Sequence, residues 1–327
     1  MILARAPLRI TLGGGGTDLP SYYESHGGLV VSAAIDKYVY VAVNRPAGDD
    51  LIRLKYSQSE EVASLDEIRH DLAGPALREL GVLDNVEIAS MADVPAGTGL
   101  GSSGSYLVAL LTALYELKRE RIPPQALAEQ AVHIEHDLAG HPIGKQDQYA
   151  STFGGLIRLD IEPSGRVEVS PLRVAPETAE LLRERLLLFY TGVSRRADEI
   201  LAEQHHDSRT GKQTVLESLH RTKEIGIESA ALLEAGRLDE FGRLLHEHWE
   251  TKKRRSRRIS TSAVDGWYER AREAGALGGK LVGAGGGGFL LLYCPDPEAV
   301  RAELAAEPLR EIAFRFDFDG AKVLADL

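Results

Sequence analysis

The sequence predicts an α+β protein of two units, and three observations carry that reading. Short apolar runs of strand character alternate with longer helical runs along the whole chain, the pattern of layered α and β structure. At 327 residues the chain exceeds a comfortable single core. Around residues 171–184, Pro171 and Pro176 interrupt a stretch without clear periodicity, so the expected division is 1–176 and 177–327.

Residues 3–12 alternate as a strand and stop at the glycine run 13–16, after which Thr17, Asp18 and Pro20 mark a helix start. Strand runs follow at 28–35, 38–43 and 51–56, then a helix over about 72–80 closed by Gly81 and a strand at 85–90. The helix over 103–118 is apolar on most faces and belongs between layers. Pro123-Pro124 opens a helix to about Asp137, and the loop AGHPIGKQDQ leads to a hairpin-like pair near 155–160 and 166–170. In the second unit the expectation is a strand at 185–192, several helices between 195 and 274, strands at 280–285 and 288–294, a helix near 297–306 and a strand at 312–318. That order suggests an α+β sandwich.

Composition narrows the function. The 38 basic and 49 acidic side chains give a formal charge of −11, which argues against a general nucleic-acid or anionic-membrane binder. An anionic ligand must then be met by local positive sites. The apolar runs fall short of the ~20 residues of a membrane span, and the N-terminus MILARAPLRITLGGGG has no uninterrupted apolar leader. The single cysteine, Cys294 in FLLLYC, leaves no internal disulfide and reads as a buried strand residue in a reducing compartment, so the expected location is cytoplasmic.

The stretch DVPAGTGLGSSGS at 93–105 builds an anion site from backbone. Its glycines let the main chain approach a ligand closely, and the helix that follows aims free N–H groups and the positive end of its dipole at whatever the loop holds. A di- or triphosphate fits best. Gly99, Gly101 and Gly104 match G-x-G-x-x-G, but Asp93-Val94-Pro95 cut the glycines off from the preceding strand, unlike a dinucleotide fingerprint. No segment supplies G-x-x-x-x-G-K-[ST], and neither H-R-D nor D-F-G follows. A turn serving helix packing alone is the plain alternative, although serine-rich loops of this length pack poorly.

The order PLRIT-GGGGTD, PAGTGLGSSGS, GKQDQ and KLVGAGGGGFLLL resembles the GHMP small-molecule kinases over residues 1 to about 294. Within that family, APLRITLGGGGTDLPSYY, HIEHD…GKQDQYASTFGG, LLFYTGVSRRADEIL and GKLVGAGGGGFLLLY look most like the D-glycero-D-manno-heptose 7-phosphate kinases. The resemblance implies an N-terminal domain like domain 2 of ribosomal protein S5 and a C-terminal ferredoxin-like domain, with ATP and a sugar phosphate meeting between them. It implies ATP-dependent phosphorylation of an anomeric hydroxyl, with magnesium.

Carried over residue by residue, the resemblance makes Asp147 the catalytic aspartate, as base or orienter, with Arg9 beside it stabilising charge on the acceptor oxygen. Without it, Asp147 could cap a helix beginning at Gln148, and Arg9 could form a surface ion pair; Arg5 shares the strand face of Arg9 and could support it. Pro95, Gly97, Gly99, Gly101, Ser102, Ser103, Gly104 and Ser105 would cradle the ATP phosphates. Ser103 and Glu135 would hold magnesium, though Ser103 also suits an N-cap and Glu135 a solvated helix face. Thr17, Asp18, Gly144, Gln146, Gly285 and Gly286 would shape the sugar site, Asp18 being equally an N-cap for a helix at 19–25. His133 and His136 match no zinc spacing and read as structural.

The basic run KKRRSRR at 252–258 bears on the substrate. Such a run is usually a solvated face, yet in an acidic chain it can seat a second phosphate on the acceptor, and Lys253, Arg254 and Arg257 are the candidates, with Arg195 and Arg196 behind them. A kinase for an unphosphorylated sugar such as fucose or galactose, and a non-catalytic ATP and sugar sensor, are the competing functions.

Overall fold

The computed structural model describes residues 1–192, 202–203, 206–210, 212–256 and 258–327. The first sheet is organised by two long strands. β1 (Ile2–Gly13) pairs antiparallel with β2 (Gly28–Asn44), and a short helix α1 (Pro20–His26) joins them. The apparent gap between two strands at 36–37 is a bulge within β2. The register steps from Leu8↔Ile35 to Pro7↔Tyr38, leaving Asp36 and Lys37 without partners on β1.

The length of β2 lets its two halves serve different neighbours. Its second half pairs with β5 (Val86–Ala92) and its first half with β6 (Leu156–Ile161), which forms a hairpin with β7 (Val167–Pro171). β3 (Ile52–Lys55) runs parallel to β5 and pairs with β4 (Ser59–Val62), a strand too polar to show in the apolar pattern. α2 (Ala73–Glu79) precedes β5. α3 (Ser102–Lys118) packs on β1 and β2 and is buried continuously from Gly104 to Leu111, as its all-round apolar sequence requires. Against it lie α4 (Pro124–His133), continued by a π-helical turn at Ile134–Leu138, and α5 (Gln146–Phe153).

The stretch expected to be irregular contains α6 (Pro176–Arg185), opened by a proline at its first turn, where the missing N–H costs nothing. The second sheet has the order β11-β8-β10-β9, from β8 (Leu186–Tyr190), β9 (Gly278–Leu281), β10 (Phe289–Tyr293) and β11 (Arg310–Glu311). Around it are α7 (Gln213–Glu234), α8 (Leu238–Lys253), α9 (Ser262–Glu273) and α10 (Pro297–Leu304). α7 packs on both α8 and the β1–β2 pair, joining the two halves.

The strand expected at 312–318 does not form. Ile312 N–H still bonds Leu188 O in the second sheet, but Phe316 bridges Ile35 and Asp36 N–H bonds Arg315 O at the β2 bulge, so this segment is divided between two sheets. β12 (Lys322–Asp326) then pairs with β1, which returns the last residues to the first sheet rather than to the unit expected at 177–327. Cys294 is buried after β10, and burial pushes its thiol up to about 12, which makes it unreactive. No helix among the described residues is long and apolar enough to cross a membrane.

Candidate functional site

Three glycine-rich segments meet where the halves join. Arg9, on β1 and 3% exposed, lies between them. Its Nε donates to Asp147 Oδ1 at 2.8 Å, its Nη2 lies 2.6 Å from the same oxygen, and its Nη1 donates to Gly99 O at 2.5 Å. A buried, three-pronged anchorage is not a surface ion pair. Asp147 is the second residue of α5 rather than a loop residue or a cap at Gln148. Its side chain is turned onto the glycine loop at 97–104: a Cβ added at Gly101 would lie 3.0 Å from Asp147 Cγ, and one at Gly104 would lie 2.8 Å from Asp147 Cβ.

Gly97, Gly99 and Gly101 all adopt positive φ, and Gly101 is the residue from which α3 starts. The loop is closed from the other side by the C-terminal glycines, since a Cβ at Gly283 would come 2.6 Å from Gly99 Cα. Ser102 and Ser103 are half-buried in the first turn of α3, and neither caps it. Pro95 is exposed, and its carbonyl accepts the Thr98 hydroxyl. Ser105 is a correction: its hydroxyl is buried and bonded to Pro7 O, Gly101 O and Ser151 Oγ, so it ties α3 to β1 and α5 and has no side-chain oxygen for phosphate.

On the far side of Asp147 opens a small cleft lined by residues of both halves. Asp18 is buried on its wall and accepts from Gly16 N (2.9 Å), Gln146 N (3.2 Å) and Gln146 Nε2 (3.4 Å). It does not cap α1, which starts after Leu19. Burial, and then the charge of Asp147, push its carboxyl above the usual range. Gly144 makes room for it, because a Cβ there would sit 2.1 Å from Asp18 Oδ2. Thr11, missed in the sequence, donates its hydroxyl to Gln146 Oε1 at 2.5 Å on the same wall.

Thr17, Gly285 and Gly286 do not line this cleft. The Thr17 hydroxyl bonds Gly14 O and Leu29 O, bracing the glycine run, while Gly285 packs against Ile259 and Gly286 N–H bonds Ile259 O. Gly283 and Ala284 take the expected place. Glu135 sits on the π-helical turn, 1% exposed rather than solvated. Its Oε2 accepts from Gln148 Nε2 at 2.7 Å, while Glu135 Oε1 and Gln148 Oε1 are buried without a hydrogen bond among the described residues, His141 Nδ1 standing 3.8 Å from Glu135 Oε1. Arg5 lies elsewhere, over the Tyr38 ring and beside Asp317 and Asp319. His133 bonds Asp137, and His136 contacts His141 O.

The basic run turns different residues inward from those expected. Lys253 Nζ pairs with Glu250 at 2.8 Å and Arg254 is exposed. Arg257, like Arg195 and Arg196, lies outside the described residues. Lys252 and Arg255 line the cleft instead, joined by His248 and by Lys280 from β9. Lys252 Nζ donates to Leu281 O (3.0 Å) and Gly283 O (2.5 Å). Arg255 donates Nε to Ser218 Oγ (3.1 Å) and Nη1 to Gly15 O (3.1 Å), and its Nη2 bonds Thr222 Oγ1. Burial pushes Lys252 down to about 7 and Arg255 to about 10, and holds Lys280 and His248 well below their usual ranges.

Family models describe the same parts of the chain: residues 69–155 match the GHMP kinases N terminal domain and residues 229–310 the GHMP kinases C terminal. The chain is 30% identical over 308 residues to the D-glycero-alpha-D-manno-heptose 7-phosphate kinase of Campylobacter jejuni, covering 90% of each. It is 29% identical over 340 residues to the L-fucokinase/L-fucose-1-P guanylyltransferase of Bacteroides fragilis, covering 91% of this chain and 35% of that one. A solved D-glycero-D-manno-heptose 1-phosphate kinase from Bacteroides thetaiotaomicron superposes with a TM-score of 0.82 at 27% identity, covering 100% of both chains. With the glycine loop and the N-terminus of α3 on one side of Asp147 and the cleft on the other, the chain belongs to the GHMP kinases and is an ATP-dependent sugar kinase.

Proposed function

We propose that the acceptor is D-glycero-D-manno-heptose 7-phosphate and that its anomeric hydroxyl takes the γ-phosphoryl group of ATP, giving the 1,7-bisphosphate. The observation that carries the catalytic part is Asp147 held by Arg9 between the phosphate loop and the cleft. The attacking hydroxyl would lie on the cleft side, with its proton directed to Asp147. ATP's phosphates would lie against residues 97–104 and the first turn of α3, where backbone N–H groups and the helix dipole favour negative charge. Bond formation from the anomeric oxygen to phosphorus expels ADP, and Arg9 offsets the charge that builds during transfer. Asp18, with Gln146 behind it, would accept from sugar hydroxyls.

The donor set fits magnesium, a hard cation that takes one or two carboxylates and keeps water. Glu135 offers a buried carboxylate oxygen that accepts no hydrogen bond among the described residues and has only His141 Nδ1 nearby, at 3.8 Å, and Ser103 offers a hydroxyl at the start of α3. When bound there, the ion would neutralise charge between the phosphates. The similarity to an L-fucokinase favours a second reading, a neutral sugar as acceptor. A sensor that only binds would have no use for the Asp147–Arg9 pair.

The test is ADP release with Mg-ATP and, separately, the heptose 7-phosphate, the unphosphorylated heptose, fucose and galactose, with Asp147→Asn as the blank. Turnover confined to the phosphorylated heptose is the expected result. Turnover of a neutral sugar alone would overturn the assignment, and nucleotide binding without turnover of any acceptor would favour the sensor.

A further inference from the structure

We propose that Lys280, Lys252 and Arg255 form the seat of a phosphate monoester carried by the acceptor, so that the second sheet reads the non-reacting end of the substrate. This deepens, and rests on, the sugar-phosphate reading above. The position is informative first. The three cations line the same cleft as Asp18, Gly144 and Gln146, whereas no residue of the 97–104 loop lines it. They therefore sit on the acceptor's side of Asp147.

Their surroundings are equally telling. All three are at most 7% exposed, and among the described residues no carboxylate lies within ion-pairing distance of any of them; their partners are carbonyls, hydroxyls and an imidazole. An ammonium has three N–H groups. Lys252 uses two on Leu281 O and Gly283 O, and Lys280 faces only His248 Nδ1, at 3.2 Å, among the described residues. Donors are therefore left over on the wall of the cleft. Burying one cation without a counter-ion costs several kcal/mol, and these three repel one another and Arg9. The facing carboxylates do not balance them, since Asp147 is bound to Arg9 and Asp18 is engaged by Gly16 N, Gln146 N and Gln146 Nε2, with its charge felt by Arg255. A dianion supplied by the ligand offsets most of this positive charge and uses the spare donors. Lys252 also braces the third glycine segment and Arg255 the first, but Lys280 has no comparable structural task, which makes it the residue to alter.

Phosphate here could come from the acceptor or from the group in transfer, and the experiment separates the two. Wild type and Lys280→Met are compared for KM of the heptose 7-phosphate, KM of ATP, kcat, and calorimetric affinity for inorganic phosphate; Lys280→Gln repeats the series in case the methionine variant folds poorly. The expected result is a loss of about 10–100-fold in phosphate affinity and acceptor KM, the worth of one or two charge-assisted bonds, with KM of ATP unchanged. Because a buried polar group whose only partner among the described residues is His248 Nδ1 is removed, the ligand-free variant should melt no lower than wild type, and Lys280→Arg should recover acceptor binding. Undetectable phosphate binding by wild type, unchanged phosphate affinity in the variants, or a loss confined to kcat or to KM of ATP would overturn the proposal. If the heptose phosphate is not a substrate but phosphate binding still depends on Lys280, the seat stands and the choice of sugar falls.

Discussion

Arg9→Lys keeps the positive charge beside Asp147 and removes the planar fork, which makes it the most discriminating change in the site. Arg9 reaches Asp147 Oδ1 through Nε at 2.8 Å and Nη2 at 2.6 Å, and Gly99 O through Nη1 at 2.5 Å. These acceptors lie in two directions, and a single ammonium on a flexible stem meets one of them well. Two charge-assisted bonds are lost, each worth about 1.5 kcal/mol at the lower end. Together they amount to ~3 kcal/mol, or about 10²-fold in kcat/KM. Because one lost bond anchors the phosphate loop, part of the loss should fall on KM of ATP. The assay is initial-rate ADP release at saturating acceptor with ATP varied, for wild type, Arg9→Lys, Asp147→Asn and the double variant. The pair acts as a unit, so the double variant should be little worse than Asp147→Asn alone. Activity of Arg9→Lys within about threefold of wild type, or effects that simply add, would refute the argument.

Asp147→Asn should lower kcat by about 10²–10⁴-fold if the carboxylate takes the hydroxyl proton, with the melting temperature nearly unchanged; a kcat close to wild type would remove it from the chemistry. Lys252 gives a pH signature in the ligand-free protein. Its folded value is about 7 against an ordinary 10.5, so between those pH values the unfolded chain holds the extra proton and stability rises with pH, by up to about 1.4 kcal/mol per pH unit. Thermal melts at pH 7 and pH 9 should show this rise in wild type and a smaller one in Lys252→Met, whereas parallel curves would contradict it. Glu135→Gln should raise the free magnesium needed for half-maximal activity about tenfold or more, measured by titration at fixed ATP; an unchanged midpoint would take Glu135 out of the metal site. Gly283→Ala should weaken ATP binding and cost roughly 1–3 kcal/mol in denaturant unfolding, since its Cβ would press 2.6 Å from Gly99 Cα.

What the sequence made legible, and what it did not, follows from the range of the interactions involved. The glycine loop and the start of α3 could be read because a glycine cluster feeding an apolar helix is a local device. The meeting of Arg9 with Asp147 came only from resemblance, since 138 positions separate them and no periodicity joins two elements that distant. β2 looked like two strands because Asp36-Lys37 interrupts the alternation, although a bulge carries it on. The inward residues of the basic run were within reach of counting. His248 and Lys252 fall at i and i+4 on one face of α8, and Arg255, in the turn after its end at Lys253, continues that spacing at i+7, while Lys253 and Arg254 fall off it. Thr17 and Ser105 were misassigned because a hydroxyl in a glycine-rich motif looks the same whether it bonds a ligand or a buried carbonyl.

The pairing of β12 with β1 also bears on how the protein can be made. Met1 N bonds Leu327 O at 2.7 Å across a separation of 326 positions, so β1 waits for a strand far along the chain to complete its outer edge. Contacts of that span form late and slowly, and an unpaired edge strand is a template for association with other chains. β1 is also the strand that carries Arg9. A fragment ending before residue 322 would present that edge bare, and its solubility would suffer before its chemistry did.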